Sequence, residues 1–444
     1  MFCRVIPFCA LLTAALPLAA PAFAQDQEGP LRIEITDGVT EPMPLAIAPF
    51  HGDADMAAKV RQVVIDDLTG TSLFRAIPDE AHITTPASFR SPVAYADWRA
   101  INAQALVTGD VAVTGEGDAA EVTVKFRLFD VVAGQPLGEG MQFVTAHADW
   151  RRAAHKIADQ IYARLTGEGP YFDSRVAFIQ ETGPKDARRM RLGVMDFDGA
   201  NPVWLTDDSH LVLSPRFSPD GTSILFTSFE TGVPQIRVMD VESVTSRPLT
   251  SARDSMAFAP RWSPDGRWIV YSREKRGNSD IWLMDAATGA ARPLAESPGI
   301  DTSPDFSPDG SQIVFESDRS GTQQLYVQPL TGSEPARISF GEGRYSSPVW
   351  SPRGDMIAFT RQNGDTFHIG AMRTDGSGER SLTESFLDES PSWAPNGRVV
   401  MFTRVTPGGD GAPRLHSVDI TGRNMRPLDL DFAASDPSWG PLLP

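Results

Sequence analysis

The chain has 444 residues, 57 acidic against 40 basic side chains and a formal net charge of −17. That balance argues against a nucleic-acid partner, whose phosphates call for basic stripes. A hydrophobic content of 41% suffices for globular cores, Gly 37 with Pro 36 suits a turn-rich β protein, and the length fits two domains.

Residues 1–24 read as an export signal. Arg4 supplies the positive region, residues 5–18 are apolar, and Ala22-Phe23-Ala24 has the small-x-small form that predicts a cut between Ala24 and Gln25. As a membrane anchor the run is too short, and Pro7, Pro17 and Pro21 interrupt it. Both cysteines, Cys3 and Cys9, lie inside the signal, so the mature chain has no disulfide, no Cys-ligated metal and no thiol nucleophile. Nothing beyond it is apolar for long enough to span a membrane, and the mature protein is expected to be exported and soluble.

Residues 25–166 read as a mixed α/β domain that opens with a polar, mobile segment. Strands are expected at residues 31–35, 44–50, 105–113, 122–128 and 141–146. Met56, Val60, Val63, Val64 and Leu68 fall at helical spacing, with Asp55 as cap and Gly70 as stop. Ser91-Pro92 predicts the start of a second helix running to about Asn102. In a third, Trp150, Ala154, Ile157, Ile161 and Leu165 share one face and Gly167 ends it. Residues 167–174 form a linker.

The remainder, 175–444, is organised by a repeat. Pro215-Arg216-Phe217-Ser218-Pro219-Asp220-Gly221 recurs from Pro260 and Pro304, and more loosely from Pro348, where Arg353 stands for Asp, and Pro391, where Asn396 does. A sixth copy begins at Pro437, and the leading prolines lie 43 to 46 residues apart. In each copy Pro fixes φ, Asp bonds its own backbone and Gly takes the left-handed position. Period-2 segments follow, making four strands per repeat, so the period indicates a six-bladed β-propeller. The last copy has only its first strand, and three unmatched strands near residues 175–179, 191–196 and 202–206 await it. Their pairing closes the ring and hides the edges.

A search for chemistry returns little. The seven histidines share no metal-ligand spacing, and no nucleophile elbow, Walker loop or Gly-x-Gly-x-x-Gly occurs. Asp196-Phe197-Asp198-Gly199 begins like a calcium loop but lacks the other ligands, and reads as a turn. Asp220, Asp265 and Asp309 read as turn residues, because Arg and Asn replace them in two copies. Phe217, Trp262, Phe306, Trp350, Trp393 and Trp439 read as packing between sheets. What remains is the loop rim at one channel mouth, where Asp254, Asp301, Asp388, Glu389 and Asp436 interleave with Met256, Phe258, Tyr345 and Phe386. Acidic groups around apolar ones describe a protein-binding surface.

The repeats, Phe229-Glu230-Thr231-Gly232 and Phe386-Leu387-Asp388-Glu389-Ser390-Pro391 together resemble the TolB family, periplasmic proteins of the Tol–Pal cell-envelope system. The resemblance implies a non-catalytic adaptor without cofactor or metal, monomeric outside its complex. It implies binding of the lipoprotein Pal over the channel mouth and of the TolA C-terminal domain by the N-terminal segment, with other outer-membrane proteins as further partners. The role is support of outer-membrane integrity and of envelope constriction during cell division. Carried over by position, the Pal surface comprises Met256, Phe258, Asp301, Thr302, Tyr345, Asp388, Glu389 and Asp436. The TolA segment comprises Gln25, Asp26, Leu31, Arg32, Ile33, Glu34 and Ile35. One rival, an exported hydrolase with a gating propeller, needs about 200 further residues and a nucleophile motif. A second, a small-molecule or sugar-binding propeller, needs tryptophans facing solvent at the channel mouth.

Overall fold

The computed structural model describes residues 31–33, 41–184, 187–251, 255–407 and 411–444. The signal, its Ala24–Gln25 cut, Gln25, Asp26, Glu34, Ile35 and Asp254 lie outside the described residues. No helix among the described residues is long and apolar enough to cross a membrane.

The N-terminal domain is built on a seven-stranded mixed sheet. Met43–Ile47 lies parallel to both Phe74–Ala76 and Ala105–Thr114. The long hairpin Ala105–Thr114 with Glu121–Asp130 extends it, and Met141–Ala146 adds an antiparallel edge. Helices α1 (Ala54–Gly70) and α3 (Trp150–Thr166) bury their apolar stripes together in one core with the sheet. The cap of α1 is Asp53, not Asp55: the Asp53 side chain accepts from the Met56 N–H, and Asp55 sits in the first turn facing Lys59. The second helix is much shorter than its sequence suggests. Only Tyr95–Ala100 (α2) is helical, without a side-chain cap, and it docks Trp98 on the opposite face of the sheet. Ser91 instead bonds Ser88 in a local turn. Gly167 ends α3 in the left-handed conformation, as expected.

The linker is fastened to α3. One carboxylate, Asp159 on the buried face of that helix, accepts the N–H groups of Tyr171, Phe172 and Asp173 at 2.7, 2.9 and 3.0 Å. Burial raises the Asp159 pKa to about 6 in spite of these three bonds, which pull it down. Tyr171 and Phe172 enter a core that continues from α1 and α3 into Phe197, Met401 and Trp439 of the second domain. The two domains therefore share apolar packing rather than meeting at a wet surface.

Six four-stranded sheets make up the second domain, and Ala433–Leu442 pairs with Ser174–Thr182 to complete one of them from the two ends of the chain. The inner strands are Val212–Phe217, Met256–Trp262, Asp301–Phe306, Arg344–Trp350, Leu387–Trp393 and Ala433–Leu442. Each carries a bulge at the residue before its proline, where Ser214, Ala259, Ser303, Ser347, Ser390 and Asp436 all have φ between 49° and 56°. A left-handed conformation at a non-glycine residue costs about 1 kcal/mol or more, yet it recurs in every blade. The turned N–H explains part of the recurrence, because it reaches the neighbouring blade. Ser303 donates to Ser272 Oγ, Ser347 to the Glu316 carboxylate and Asp436 to Thr403 Oγ1, at 3.0, 2.8 and 3.0 Å.

The repeat aspartates behave as turn residues. Asp309 accepts from Ser307 Oγ and from the Ser311 N–H and hydroxyl, which hold its carboxyl down near 2, and Asp220 and Asp265 are held low in the same way.

Candidate partner-binding face and channel

The bulge sorts the predicted rim residues into two sets. Residues two before each proline and one after it pair with second-strand residues two apart (Leu213 with Thr227 and Arg216 with Leu225), so they share a sheet face. The later position of this set (Arg216, Arg261, Asp305) lines the central channel. Phe258, Thr302 and Glu389 occupy the earlier position and are all partly exposed. Met256 and Asp436 are partly exposed beside them.

Residues three before each proline point the other way, into the blades. Asp301, Tyr345 and Asp388 belong to this set and are each 0% exposed. This corrects the expectation that they form part of an open acidic rim. Asp388 makes a two-pronged ion pair with Arg404, both contacts 2.7 Å. Asp301 pairs with Arg319 at 2.7 Å and accepts from Ser297 at 3.1 Å. The Tyr345 hydroxyl donates to Glu379 at 2.8 Å. The two aspartates are paired with Arg319 and Arg404 and the tyrosine with Glu379, so these groups brace the rim instead of facing a partner. Period-2 patterning alone could have separated the two sets, since Val212, Ala257 and Ala434 hold the same position in the other blades and are buried too.

The rim carboxylates Glu389, Asp436 and Glu181 crowd together at Glu389. Burial raises its pKa to about 7, and the facing carboxylates of Asp436 and Glu181 push it further in the same direction. Asp436 is fixed by the Ser214 N–H at 3.1 Å and by Ser390 Oγ at 2.8 Å. Thr302 is tied through its hydroxyl to Glu316 at 2.5 Å.

At the opposite end the channel widens into a cavity of about 430 Å³. All six repeat aromatics line it. Phe306, Trp350, Trp393 and Trp439 are otherwise buried, and Phe217 and Trp262 are partly exposed. They are thus packing residues with one edge on the channel, a role their strand position alone did not show. Arg216 and Arg261 reach into the same space, Arg261 with Asp305 at 3.5 Å.

In the N-terminal segment, Ile33 is buried and its N–H donates to the Leu165 carbonyl at 2.7 Å, while Arg32 Nε donates to the Thr166 carbonyl at 3.1 Å. The expected TolA residues Arg32 and Ile33 are therefore held against the end of α3.

These features define a two-domain propeller protein, with an α/β module sharing a core with a six-bladed ring and a polar loop face left open. Comparison with known proteins gives the family. Residues 162–443 match the TolB beta propeller domain and residues 31–137 the TolB amino-terminal domain. "Tol-Pal system protein TolB" of Dinoroseobacter shibae is 61% identical over 97% of each chain. The protein of that name from a Cereibacter sphaeroides strain is 62% identical over 100% of each. The crystal structure of TolB from Acinetobacter baumannii superposes with a TM-score of 0.80 at 28% identity, covering 93% of this chain and 100% of that one. The chain belongs to the TolB family.

Proposed function

We propose that the protein is a non-catalytic periplasmic adaptor of the Tol–Pal system. It binds the lipoprotein Pal over the loop face of the propeller and the TolA C-terminal domain through residues 25–36, supporting outer-membrane integrity and constriction at division. The observation that carries this reading is full-length similarity, over both domains, to relatives named as Tol-Pal system proteins. Met256, Phe258, Thr302, Glu389 and Asp436 supply the contact surface; Asp301, Tyr345 and Asp388 hold it in shape. An export signal agrees with the compartment.

The test is a pull-down of the protein with the periplasmic domain of Pal, alongside Phe258→Asp and Glu389→Lys. Loss of binding in either, with the fold intact by circular dichroism, supports the adaptor reading. Retention in both moves the site elsewhere. Asp301→Lys is a poor probe, because a lysine there faces Arg319 inside a blade.

A second reading is favoured by one observation, the aromatic cavity with its two arginines. It makes the protein a propeller that binds a small anionic or sugar ligand. No binding to Pal, with a ligand bound at Trp262 and Arg216, would favour that reading.

A further inference from the structure

The Asp196-Phe197-Asp198-Gly199 turn is an incomplete metal loop in sequence, but the fold sets a histidine against it. His155 on α3 places a ring nitrogen so that it and one carboxylate oxygen each of Asp196 and Asp198 lie within 4.8 Å of one another. His155 is 2% exposed and its Nε2 has no hydrogen-bond partner, whereas its Nδ1 is bonded to Asp67 Oδ2 of α1 at 2.7 Å. The geometry points to a divalent metal site of the zinc class at the domain junction, with His155 Nε2, Asp196 and Asp198 as ligands and Asp67 as the group that orients the imidazole.

The arrangement has the parts such a site needs. A carboxylate on the far nitrogen of a histidine fixes its tautomer and aims the near nitrogen, as outer-shell partners of metal-bound histidines do. The turn holds both carboxylates through the Asp196 N–H to the Ala200 carbonyl at 2.8 Å, the Gly199 N–H to the Asp196 carbonyl at 2.9 Å and the Ala200 N–H to Asp198 Oδ1 at 3.1 Å. One imidazole and two carboxylates suit zinc, manganese or cobalt, and are too few oxygens for calcium without many waters. A cavity of about 240 Å³, lined by Arg151, Asp196 and Asn201, adjoins the cluster at Asp196.

Arg151 is the competitor. It pairs with Asp196 at 3.3 Å and closely with Asp198, while Asn201 Nδ2 donates to Asp196 Oδ2 at 2.8 Å. A bound ion takes over the charge compensation that Arg151 supplies in its absence. Because the ligands come from both domains, the ion clamps α3 to the propeller, and this is independent of which partner the rim binds.

The test is calorimetric titration of the chelator-treated protein with zinc chloride, with cobalt(II) absorption as a report on ligand type. The expected result is one ion per chain at micromolar affinity or tighter, weakened tenfold or more by Asp198→Asn and by His155→Gln, and a cobalt spectrum with nitrogen and oxygen ligands. Arg151→Gln, which removes the competitor, should tighten binding. No saturable binding overturns the proposal, as does binding unchanged by Asp198→Asn, which would place the ion elsewhere. Should His155→Gln not fold, Asp198→Asn decides, since its side chain sits partly exposed on a surface turn.

Discussion

Asp388 and Glu389 are adjacent acids with opposite contributions to stability. Asp388 is buried against Arg404, so Asp388→Ala strands a largely buried guanidinium and should cost about 3–5 kcal/mol. Glu389 faces other carboxylates, and its pKa of about 7 lies above the value of about 4.3 in an unfolded chain. The folded state thus holds the extra proton between those values, and stability falls as pH rises through that window. Glu389→Gln should leave the stability unchanged near pH 4 and raise it near pH 8 by about 1–2 kcal/mol after allowance for partial exposure. Melting curves of both variants across pH distinguish the cases. The sequence displayed two adjacent rim acids; it could not show that the strand pleat sends one to an arginine and the other to the channel. The two copies that depart from the Pro-Asp-Gly pattern carry a similar lesson. Arg353 bonds the Asn396 carbonyl at 2.6 Å and pairs with Glu168 of the linker, and Asn396 donates to the Gly169 carbonyl at 3.0 Å. The pattern broke where the turns serve as a seat for the linker, which the sequence marked without explaining.

Among elements, the linker and the helix caps show what local pattern reveals. The residues 167–174 look like a spacer, yet Asp159 gathers three of their N–H groups into a buried nest. Asp159→Ala leaves those donors without an acceptor and should cost about 3 kcal/mol, with hydrogen exchange accelerated at Tyr171, Phe172 and Asp173. A protein melting lower without faster exchange there would place the effect elsewhere in α3. The cap of α1 offers a smaller contrast. Asp53→Ala should cost about 1 kcal/mol, and Asp55→Ala, an exposed first-turn residue, less than half of that. Periodicity found α1 and α3 because each has a long apolar stripe. The Ser91-Pro92 signal overextended α2, because Ser-Pro also opens turns, and the residues after it have too little apolar periodicity to overrule that signal.

For the whole molecule, the repeat made the ring and its closure legible, since six prolines 43 to 46 residues apart, one orphan strand at the C-terminal end and three before the first full copy admit one joining. The shared core was not legible, because the contacts of Trp439 with Tyr171 and Phe197 connect parts of the chain more than 200 residues apart. That core has a thermodynamic consequence. Trp439 sits on the strand that closes the ring, its indole N–H donates to Ser174 Oγ at 2.8 Å, and its ring lies within 5.9 Å of Tyr171 and 6.2 Å of Phe197. A domain interface this apolar couples the two units, so calorimetry should show one endotherm rather than two. Trp439→Ala removes packing from the ring closure and the domain junction at once, and should cost about 3–5 kcal/mol. If the interface is the coupling element, the variant should melt earlier and its endotherm should broaden or divide as the α/β module and the ring part company. A single, equally sharp endotherm at lower temperature would assign the coupling to the pinned linker instead, and the Asp159→Ala variant should then be the one that divides.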